Sequence, residues 1–189
     1  MRSIGLFGGS FNPAHGGHLH VARAGLRQLQ LDEIWWLVSP QNPLKPDQPS
    51  WESRAETVRA LPLPPNMRVS DVERRYGTQY TVDLLTALKA REQNTKFVFM
   101  MGADNLLQLP KWRAWQTIFE TIPIAVIARP GSPMRARLGQ VARQYTHARI
   151  GEDQAHTLKD AMAPAWSYLT LPLDKRSSSA IRASLKPVA

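Results

Sequence analysis

Residues 6–22 read LFGGSFNPAHGGHLHVA, and in this stretch four glycines, a proline and three histidines separate an apolar run from a helical pattern. The apolar run at 3–7 predicts a buried strand, and Gly8 and Gly9 predict the turn that ends it. From Gly17 onward, apolar residues recur at helical spacing and predict the first helix. The stretch therefore predicts a strand, a glycine-rich turn and a helix in immediate succession.

The rest of the chain repeats this alternation of apolar strands and amphipathic helices. Further strands are predicted at 33–40, 67–72, 96–102 and 122–131, and further helices at 53–61 and 81–91. Continuous apolar strands are typical of a parallel sheet that is covered on both faces. We therefore expect an α/β fold: a Rossmann-like, doubly wound, mainly parallel sheet with a short C-terminal helical segment, in a single domain spanning 1–189.

The expected sheet also predicts where a ligand binds. In open parallel sheets, ligands bind beyond the carboxyl ends of the strands, where the strand order reverses. Four groups of residues follow predicted strands and should lie together along this edge: 8–9, 39–40, 102–104 and 129–131.

Composition excludes several kinds of chemistry. The 189 residues include no cysteine, so disulfides, thiolate zinc sites and cysteine nucleophiles are excluded. No secretory leader is recognisable, and no apolar stretch approaches the roughly 20 residues that span a bilayer. We therefore expect a soluble, cytoplasmic protein with no membrane partner. The composition does not set an oligomeric state.

The chain carries a formal net charge of +9, so its surface attracts anions. Nucleic acid, an anionic membrane and small phosphorylated substrates all fit that charge. Five arginines and no acidic residue lie in residues 121–151, which leaves open a basic nucleic-acid-binding module built on segment 129–149. A solvated basic face explains the same segment. Since no RNA-binding or helix-turn-helix signature is present, we expect no nucleic-acid partner.

The residues of the opening stretch suit an anion. Glycines let backbone N–H groups approach a ligand, and the amino end of the first helix directs its positive dipole at the same place. His15 and His18 are three residues apart and can present both rings to one side, where imidazoles donate hydrogen bonds to phosphate oxygens. A packing role and a zinc site are the alternatives for this pair. No acidic or thiolate third ligand is near in sequence, so we expect no metal ligands.

The segment GGSFNPAHGGH (8–18) resembles the (G/T)xFxPxHxGH signature of the nucleotidyltransferase superfamily of adenylyl- and cytidylyltransferases. That signature fixes five residues together: Phe11, Pro13, His15, Gly17 and His18. The superfamily's second signature, ISSTxIR, is similar to RSSSAIR (176–182). On these two motifs, from opposite ends of the chain, the sequence is identified as a member of this superfamily.

Within the superfamily, the chain resembles bacterial nicotinate-nucleotide adenylyltransferases over essentially its whole length. The similar segments are GADNLLQLPKW (102–112), YTVDLL (80–85) and NPLKP (42–46). The chain departs from the family's usual residues as follows: Asn12 stands for aspartate, Ser10, Leu84 and Ser179 stand for threonine, and Arg176 stands for isoleucine.

The resemblance implies an activity, namely transfer of the adenylyl group of ATP to nicotinate mononucleotide, which yields deamido-NAD and pyrophosphate in NAD biosynthesis. The ligands that it implies are ATP, nicotinate mononucleotide and Mg²⁺. Such a transfer needs in-line positioning and charge stabilisation rather than a nucleophilic side chain. Phosphopantetheine adenylyltransferase is the nearest alternative, but that enzyme usually has a threonine at the position of His15 and is somewhat shorter. Asp104 and Trp112 also favour the nicotinate enzyme.

The resemblance also implies which residues form the site. The catalytic residues are His15, His18, Lys45 and Arg182. His18 would stabilise charge at the α-phosphate, and Arg182 would hold the β- and γ-phosphates. Lys45 would neutralise phosphate where the two substrates meet, and a plain surface lysine is its alternative. The residues that contact ATP are Gly8, Gly9, Ser10, Phe11, Gly102, Asp104, Ser178, Ser179 and Ile181.

Several of these residues have a second interpretation. The Asp104 carboxylate follows a predicted strand and can accept hydrogen bonds from ribose hydroxyls, with helix capping as the alternative. Capping is also an alternative for Ser178 and Ser179. Trp112 would stack on the pyridine ring, with burial as its alternative. Arg54 is a weaker candidate for the site and is interpreted as structural.

The nicotinate carboxylate has an expected site of its own. The backbone amides of Tyr80 and Thr81 begin a predicted helix, and an anion binds favourably at a helix amino end. This feature would separate the acid mononucleotide from its amide.

Overall fold

In the computed structural model, which describes residues 1–39, 48–128, 133–171 and 176–184, seven strands form one parallel sheet. Every strand pair runs parallel, and the spatial order is β3-β2-β1-β4-β5-β7-β6. The strands are β1 (Arg2–Gly9), β2 (Glu33–Val38), β3 (Met67–Ser70), β4 (Thr95–Gly102), β5 (Ile124–Ile127), β6 (Arg149–Ile150) and β7 (Trp166–Leu169). The expected Rossmann-like, doubly wound α/β fold is confirmed.

Helices follow the strands along the chain. The α-helices are α1 (Gly16–Gln28), α2 (Trp51–Arg59), α3 (Val72–Arg75), α4 (Thr81–Arg91), α5 (Ala103–Gln108), α6 (Trp115–Thr121), α7 (Pro133–Arg137), α8 (Gln140–Gln144) and α9 (Ser178–Ser184). Segments of 3-10 helix lie at Leu109–Lys111, Thr146–Ala148 and Glu152–Asp160. None of the helices in the described ranges is long and apolar enough to cross a membrane.

The sheet separates two apolar clusters, because successive side chains of a strand point to opposite faces. In β1, Leu6 joins the cluster that α4 and α6 cover, which includes Leu85 and Phe119. Its neighbour Phe7 joins the other cluster, which α1 and α2 cover and which includes Leu19. The chain therefore has helical layers on both faces of one sheet, as continuous apolar strands require.

The strand order reverses at β1. From β1 the chain passes to β2 and β3 on one side, and it later returns to place β4 against the other side of β1. Gly9 pairs with Val38, and Phe7 pairs with Met100, so β1, β2 and β4 end at the same edge of the sheet. Of the four groups expected at this edge, 8–9 and 102–104 lie there and Ser39 follows β2. Pro40 and 129–131 lie outside the described residues.

Gly8 and Gly9 are not the turn that was expected to end the first strand. Both belong to β1 and pair with Leu37 and Val38. The glycines instead make room for aromatic rings, since a Cβ at residue 9 would lie 2.9 Å from the Phe11 ring. The chain turns at Phe11 itself, which is 2% exposed and has a φ of 46°.

Other boundaries also differ from the expectation. β3 ends at Ser70, and residue 72 already begins α3. β5 ends at Ile127, earlier than expected. β6 and β7 were not predicted from the sequence. β7 lies next to β5 and is buried at all four residues, and β6 lies beyond β7 at the edge of the sheet.

Candidate active site

The signature loop, residues 10–15, joins β1 to α1 and puts two histidines at the amino end of α1. His15 is the N-cap of α1, and its Nδ1 accepts a 3.1 Å hydrogen bond from the backbone N–H of Gly17. The His18 side chain reaches back to the N-cap, where its Nδ1 accepts a 3.3 Å hydrogen bond from the backbone N–H of His15. The two imidazoles therefore form a capping box, in which the usual pair is a serine or threonine with a glutamate or glutamine.

These hydrogen bonds determine where each imidazole carries its proton. A neutral imidazole has one donor nitrogen and one acceptor nitrogen. Because the Nδ1 atoms of His15 and His18 both accept from the backbone, both protons are assigned to Nε2. The ring centroids are 3.9 Å apart, and the two residues are 6% and 7% exposed. The pair is thus a fixed set of two Nε2–H donors at the positive end of a helix.

One buried arginine of α2 supports the signature loop. Arg54 donates hydrogen bonds to the backbone carbonyl oxygens of Ser10 at 2.8 Å, Ser39 at 2.6 Å and Pro49 at 3.0 Å. Arg54 is 1% exposed. A single guanidinium therefore fixes the signature loop relative to the end of β2, which agrees with the interpretation of Arg54 as a structural residue.

A buried carboxyl group lies within electrostatic reach of Arg54. Burial raises the pKa of Glu73, in α3, to about 8, and the positive charge of Arg54 opposes that rise. Burial also lowers the pKa of Arg54, while the charges of Glu73 and Glu52 oppose that shift. Three backbone carbonyls accept hydrogen bonds from the guanidinium, which favours its charged form.

The C-terminal helix α9 packs against the signature loop. Ser178 Oγ donates a 2.9 Å hydrogen bond to the carbonyl oxygen of Pro13. Arg182 reaches the same loop, since its Nη1 donates to the carbonyl oxygen of Asn12. Its Nη2 donates to Ser179 Oγ at 3.2 Å. The fold therefore brings the second signature onto the first.

A different serine caps α9 from those considered. Ser177 Oγ accepts a 3.1 Å hydrogen bond from the backbone N–H of Ala180. Ser178 bonds to the signature loop and Ser179 to Arg182. The capping alternative for Ser178 and Ser179 is therefore wrong.

The carboxyl end of β4 lies beside that of β1. Gly102 is the last residue of β4 and the N-cap of α5. Asp104 lies in the first turn of α5 and is half-buried. Asp104 is therefore not the N-cap, and its carboxylate is placed where the helix dipole favours a negative charge.

Tyr80, Thr81 and Trp112 lie on the other face of the sheet. Tyr80 is the N-cap of α4, and Thr81 is its first residue. Trp112 follows a 3-10 helix and is half-buried against the cluster that α4 and α6 cover. The guanidinium of Arg113 lies 4.7 Å from the centre of the Tyr80 ring and 3.9 Å from the Asp83 carboxylate. Arg113 therefore brings the segment of Trp112 to the amino end of α4.

The expected site residues thus form two groups at the carboxyl edge. The first, on the α1 face, contains Gly8, Gly9, Ser10, Phe11, His15, His18, Ser178, Ser179 and Arg182, with Ile181 half-buried in the same helix α9. The second, on the α4 face, contains Tyr80, Thr81 and Trp112. Gly102 and Asp104 lie at the carboxyl end of β4, between these two groups. Lys45 lies outside the described residues.

Sequence reasoning did not single out three residues that shape these groups. Thr57 Oγ1 accepts a 2.9 Å hydrogen bond from the backbone N–H of Ala14, one helical turn after Arg54. Neither Thr57 nor Glu73 carries a sequence signal for its tertiary contact. Arg113 directly follows the motif at 102–112, so it could have been singled out because it is adjacent to Trp112 in the sequence.

A resident metal ion does not fit the part of the chain that the structure describes. Within those ranges, no three His, Asp or Glu side chains are grouped so that they could hold a metal. His15 and His18 instead use their Nδ1 atoms as acceptors for backbone N–H groups.

The fold and the paired signatures define a class of protein. The cytidylyltransferase-like family matches residues 6–184, and the chain belongs to that family. Within it, the chain is a member of the nicotinate-nucleotide adenylyltransferase group, as its curated relatives indicate. A probable nicotinate-nucleotide adenylyltransferase of Cereibacter sphaeroides (strain ATCC 17025) is 47% identical over 182 residues, which are 96% of this chain and 97% of the relative. One of Caulobacter sp. (strain K31) is 49% identical over 181 residues, 95% and 96% of the two chains.

Solved structures show the same fold at much lower identity. Plasmodium falciparum nicotinic acid mononucleotide adenylyltransferase complexed with NaAD superposes with a TM-score of 0.72 at 19% identity, covering 99% of this chain and 85% of that chain. The same enzyme complexed with APC gives a TM-score of 0.69, covering 97% and 83%.

Proposed function

We propose that this protein transfers the adenylyl group of ATP to nicotinate mononucleotide, releasing deamido-NAD and pyrophosphate in NAD biosynthesis. The main support for this proposal is the contact between the two signature segments. The His15 and His18 rings lie side by side at the amino end of α1 with centroids 3.9 Å apart, and Arg182 bonds to the loop that leads to them. The names of relatives at 47% and 49% identity over nearly the full chain support the same activity.

The triphosphate of ATP binds at the amino end of α1. Three kinds of group favour a polyanion there: the helix dipole, two Nε2–H donors and the guanidinium of Arg182. The first turn of α1 contains no acidic residue that would repel phosphate. The glycines and Phe11 lead the backbone from β1 to this place, and Ser178 and Ser179 complete it from α9.

The reaction joins two anions. An oxygen of the mononucleotide 5′-phosphate attacks the α-phosphorus of ATP, and the bond from that phosphorus to the bridging oxygen of the β-phosphate breaks. The electron pair of that bond leaves with pyrophosphate, so no side chain forms a covalent intermediate. His18 donates from Nε2 to the α-phosphate oxygens, where negative charge accumulates, and Arg182 neutralises the departing pyrophosphate.

The mononucleotide binds on the α4 face. Trp112 is half-buried, so one part of the indole is held by the core while another part stays accessible for stacking on a pyridine ring. The amides at the start of α4, at Tyr80 and Thr81, receive the nicotinate carboxylate. The two substrates therefore approach from opposite faces and meet at the edge where β1 and β4 end.

Three further residues have roles in this reaction. Asp104, with Gly102 before it, accepts hydrogen bonds from ribose hydroxyls of ATP, and Lys45 neutralises phosphate between the substrates. Since the described residues offer no metal ligand set, Mg²⁺ enters as part of the substrate, bound to the phosphates of ATP. The whole of 1–189 acts as one nucleotidyltransferase domain whose partners are these small molecules.

The proposal is tested by offering the purified protein ATP with each of three acceptors: nicotinate mononucleotide, nicotinamide mononucleotide and phosphopantetheine. Pyrophosphate release is measured together with chromatographic detection of the dinucleotide product. We expect turnover with nicotinate mononucleotide to exceed the others, with deamido-NAD and pyrophosphate formed in equal amounts. Faster turnover with phosphopantetheine, or retention on DNA with no turnover of any acceptor, would overturn the proposal.

A further inference from the structure

The peptide that joins Pro13 to Ala14 is held from two sides. Its carbonyl oxygen, which belongs to Pro13, accepts a 2.9 Å hydrogen bond from Ser178 Oγ of α9. Its N–H, which belongs to Ala14, donates a 2.9 Å hydrogen bond to Thr57 Oγ1 of α2. The C=O and N–H of a trans peptide point in opposite directions within one rigid plane. α2 and α9 therefore hold one peptide plane by its opposite edges.

The Thr57 hydroxyl is oriented by its own helix to accept this bond. Thr57 Oγ1 lies 2.7 Å from the carbonyl oxygen of Arg54, one turn back in α2, and 3.4 Å from that of Phe11. A hydroxyl has one proton, and the Arg54 carbonyl lies at the normal O–H···O distance, so the proton is assigned to that bond. The lone pairs of Oγ1 then face the N–H of Ala14. A β-branched side chain also has few accessible χ1 rotamers, which fixes the hydroxyl in place.

The clamped peptide leads directly to the two histidines. Ala14 precedes His15, the N-cap of α1. The next N–H along the backbone, that of His15, donates to His18 Nδ1. Two successive backbone N–H groups are thus bound, the first by Thr57 and the second by His18. A rotation of the clamped peptide would therefore move the backbone that places both imidazoles.

The same two helices hold the rest of the signature loop. α2 bonds to both ends of segment 10–14, through Arg54 at its first carbonyl and Thr57 at its last N–H. α9 bonds to two carbonyls in the middle of the segment, through Arg182 and Ser178. The place of α9 relative to the histidines therefore depends on the anchorage that α2 provides.

We infer that Thr57 is a positioning residue of the ATP site, whose hydroxyl fixes the Pro13–Ala14 peptide between α2 and α9 and thereby sets the place of His15 relative to Arg182. The inference rests on the proposed function for the identity of the nucleotide. It goes beyond the two signatures, because Thr57 belongs to neither of them and acts on the same peptide as Ser178 from the opposite edge.

The fold separates this role from binding of the second substrate. α2 covers the same face of the sheet as α1, whereas Trp112 and the start of α4 lie on the other face. Loss of the Thr57 hydroxyl should therefore weaken the binding of ATP and leave KM for nicotinate mononucleotide unchanged. A residue that only stabilised the fold would lower the melting temperature without this difference between the substrates.

The first test compares Thr57→Val, Thr57→Ser and Thr157→Val. Valine keeps the branched shape but removes the acceptor of the Ala14 N–H, whereas serine keeps the hydroxyl. Thr157 is the matched control, because it is exposed and its Oγ1 donates at 2.8 Å to the carbonyl of Gln154, three residues back in its own 3-10 helix.

Binding of a non-cleavable ATP analogue is measured by titration calorimetry, well below the melting temperature of each variant, and KM is measured for both substrates. We expect Thr57→Val to weaken the ATP analogue about fivefold, since one hydrogen bond is lost. Thr57→Ser and Thr157→Val should bind the analogue as the parent does.

A double-mutant cycle tests whether Thr57 and Ser178 act on one peptide. Thr57→Val and Ser178→Ala are each expected to weaken the ATP analogue about fivefold, and independent effects would multiply to about 25-fold. Because the peptide is fixed only when both of its edges are held, the double variant should weaken the analogue about tenfold or less.

The inference is overturned if Thr57→Val binds the ATP analogue as tightly as the parent, if Thr57→Ser binds it as weakly as Thr57→Val, or if the double variant shows the full product. An equal rise of KM for both substrates in Thr57→Val would also overturn it.

Failure of the inference differs from failure of the proposed function. A parent protein that binds the ATP analogue in a Thr57-dependent manner but forms no deamido-NAD would refute the acceptor assignment alone. A parent that forms deamido-NAD while Thr57→Val retains its affinity for the ATP analogue would refute the inference alone.

Discussion

Ser178 Oγ donates a 2.9 Å hydrogen bond to the carbonyl oxygen of Pro13, across a sequence separation of 165 residues. This bond holds α9, and with it Arg182, against the signature loop. The triphosphate site is therefore assembled from two distant segments, and its geometry depends on how firmly α9 is docked.

Removal of this hydrogen bond should weaken the binding of ATP more than it lowers the stability of the fold. Ser178→Ala is expected to raise KM for ATP about fivefold, which corresponds to about 1 kcal/mol for one hydrogen bond, with the melting temperature nearly unchanged. Ser184→Ala is the matched control, because Ser184 Oγ bonds to the carbonyl of Ile181 within the same helix. Equal KM values in the two variants would show that the bond to Pro13 does not position Arg182.

His15 has two separable duties, as N-cap and as phosphate donor. In His15→Asn, the side-chain oxygen can still cap α1, but the Nε2–H donor is lost. We expect this variant to keep the stability of the parent while KM for ATP rises, whereas His15→Ala should also lose about 1 kcal/mol of unfolding free energy. Urea unfolding and steady-state kinetics distinguish the two effects. A His15→Asn enzyme with parental kinetics would leave His15 as a cap alone.

His18 is expected to act mainly in the transition state. His18→Ala should lower kcat by about a hundredfold or more, since one preorganised donor to developing charge is removed, while KM for the mononucleotide changes little. His156→Ala, at an exposed histidine of the 3-10 helix Glu152–Asp160, is the control. Turnover that is equal in His18→Ala and the parent would remove His18 from the chemistry.

Trp112 is expected to determine affinity for the mononucleotide. Trp112→Ala should raise KM for nicotinate mononucleotide about tenfold with KM for ATP unchanged, because loss of aromatic stacking costs about 1 kcal/mol or more. Trp112→Phe retains an aromatic face and should recover most of the affinity. If both variants melt at lower temperature with unaltered KM, Trp112 packs the core and does not touch substrate.

The raised pKa of Glu73 predicts a pH dependence of stability. Between the ordinary value of 4.5 and about 8, the folded carboxyl keeps a proton that the unfolded carboxyl has lost. The contribution of Glu73 to stability is therefore complete below the unfolded pKa and is lost as pH rises to about 8. Glu73→Gln removes this titration, so its stability relative to the parent should rise with pH by up to about 1.4 kcal/mol per pH unit.

Urea unfolding of the parent and of Glu73→Gln at pH 5, 6, 7 and 8 measures this difference. Parallel stability curves would mean that Glu73 is ionised beside Arg54 throughout the range. Such a result would make the buried pair an ion pair rather than a neutral acid next to a cation.

The elements that carry a long periodic pattern could be predicted from the sequence. α4 begins and ends at the expected residues, and β1, α1, β2 and β4 lie within a few residues of expectation. β7 has only four residues, all buried, and a run that short does not distinguish a strand from a buried loop or helix segment. Its place in the sheet is set by pairing with β5, which no local pattern records.

The candidate site was predictable where a motif fixes several residues together, as in 8–18 and 176–182. Supporting contacts were not, because they join segments that are far apart in sequence. Nothing in the sequence around Arg54 indicates that its guanidinium is buried against three carbonyls. Likewise, the reciprocal hydrogen bonds of His15 and His18 follow from the backbone at the start of α1, not from the spacing alone.

The hydrogen bonds from Arg54 to three carbonyls affect how a saturation mutagenesis survey of this protein would be interpreted. An ammonium group on a lysine stem cannot serve three acceptors that lie in separate segments with the planar geometry of a guanidinium. Position 54 will therefore tolerate essentially no replacement, and it will score like a residue of the reacting centre. That intolerance originates in architecture, so a selection for lost growth alone would misassign a residue whose guanidinium bonds to three main-chain carbonyls of the protein itself.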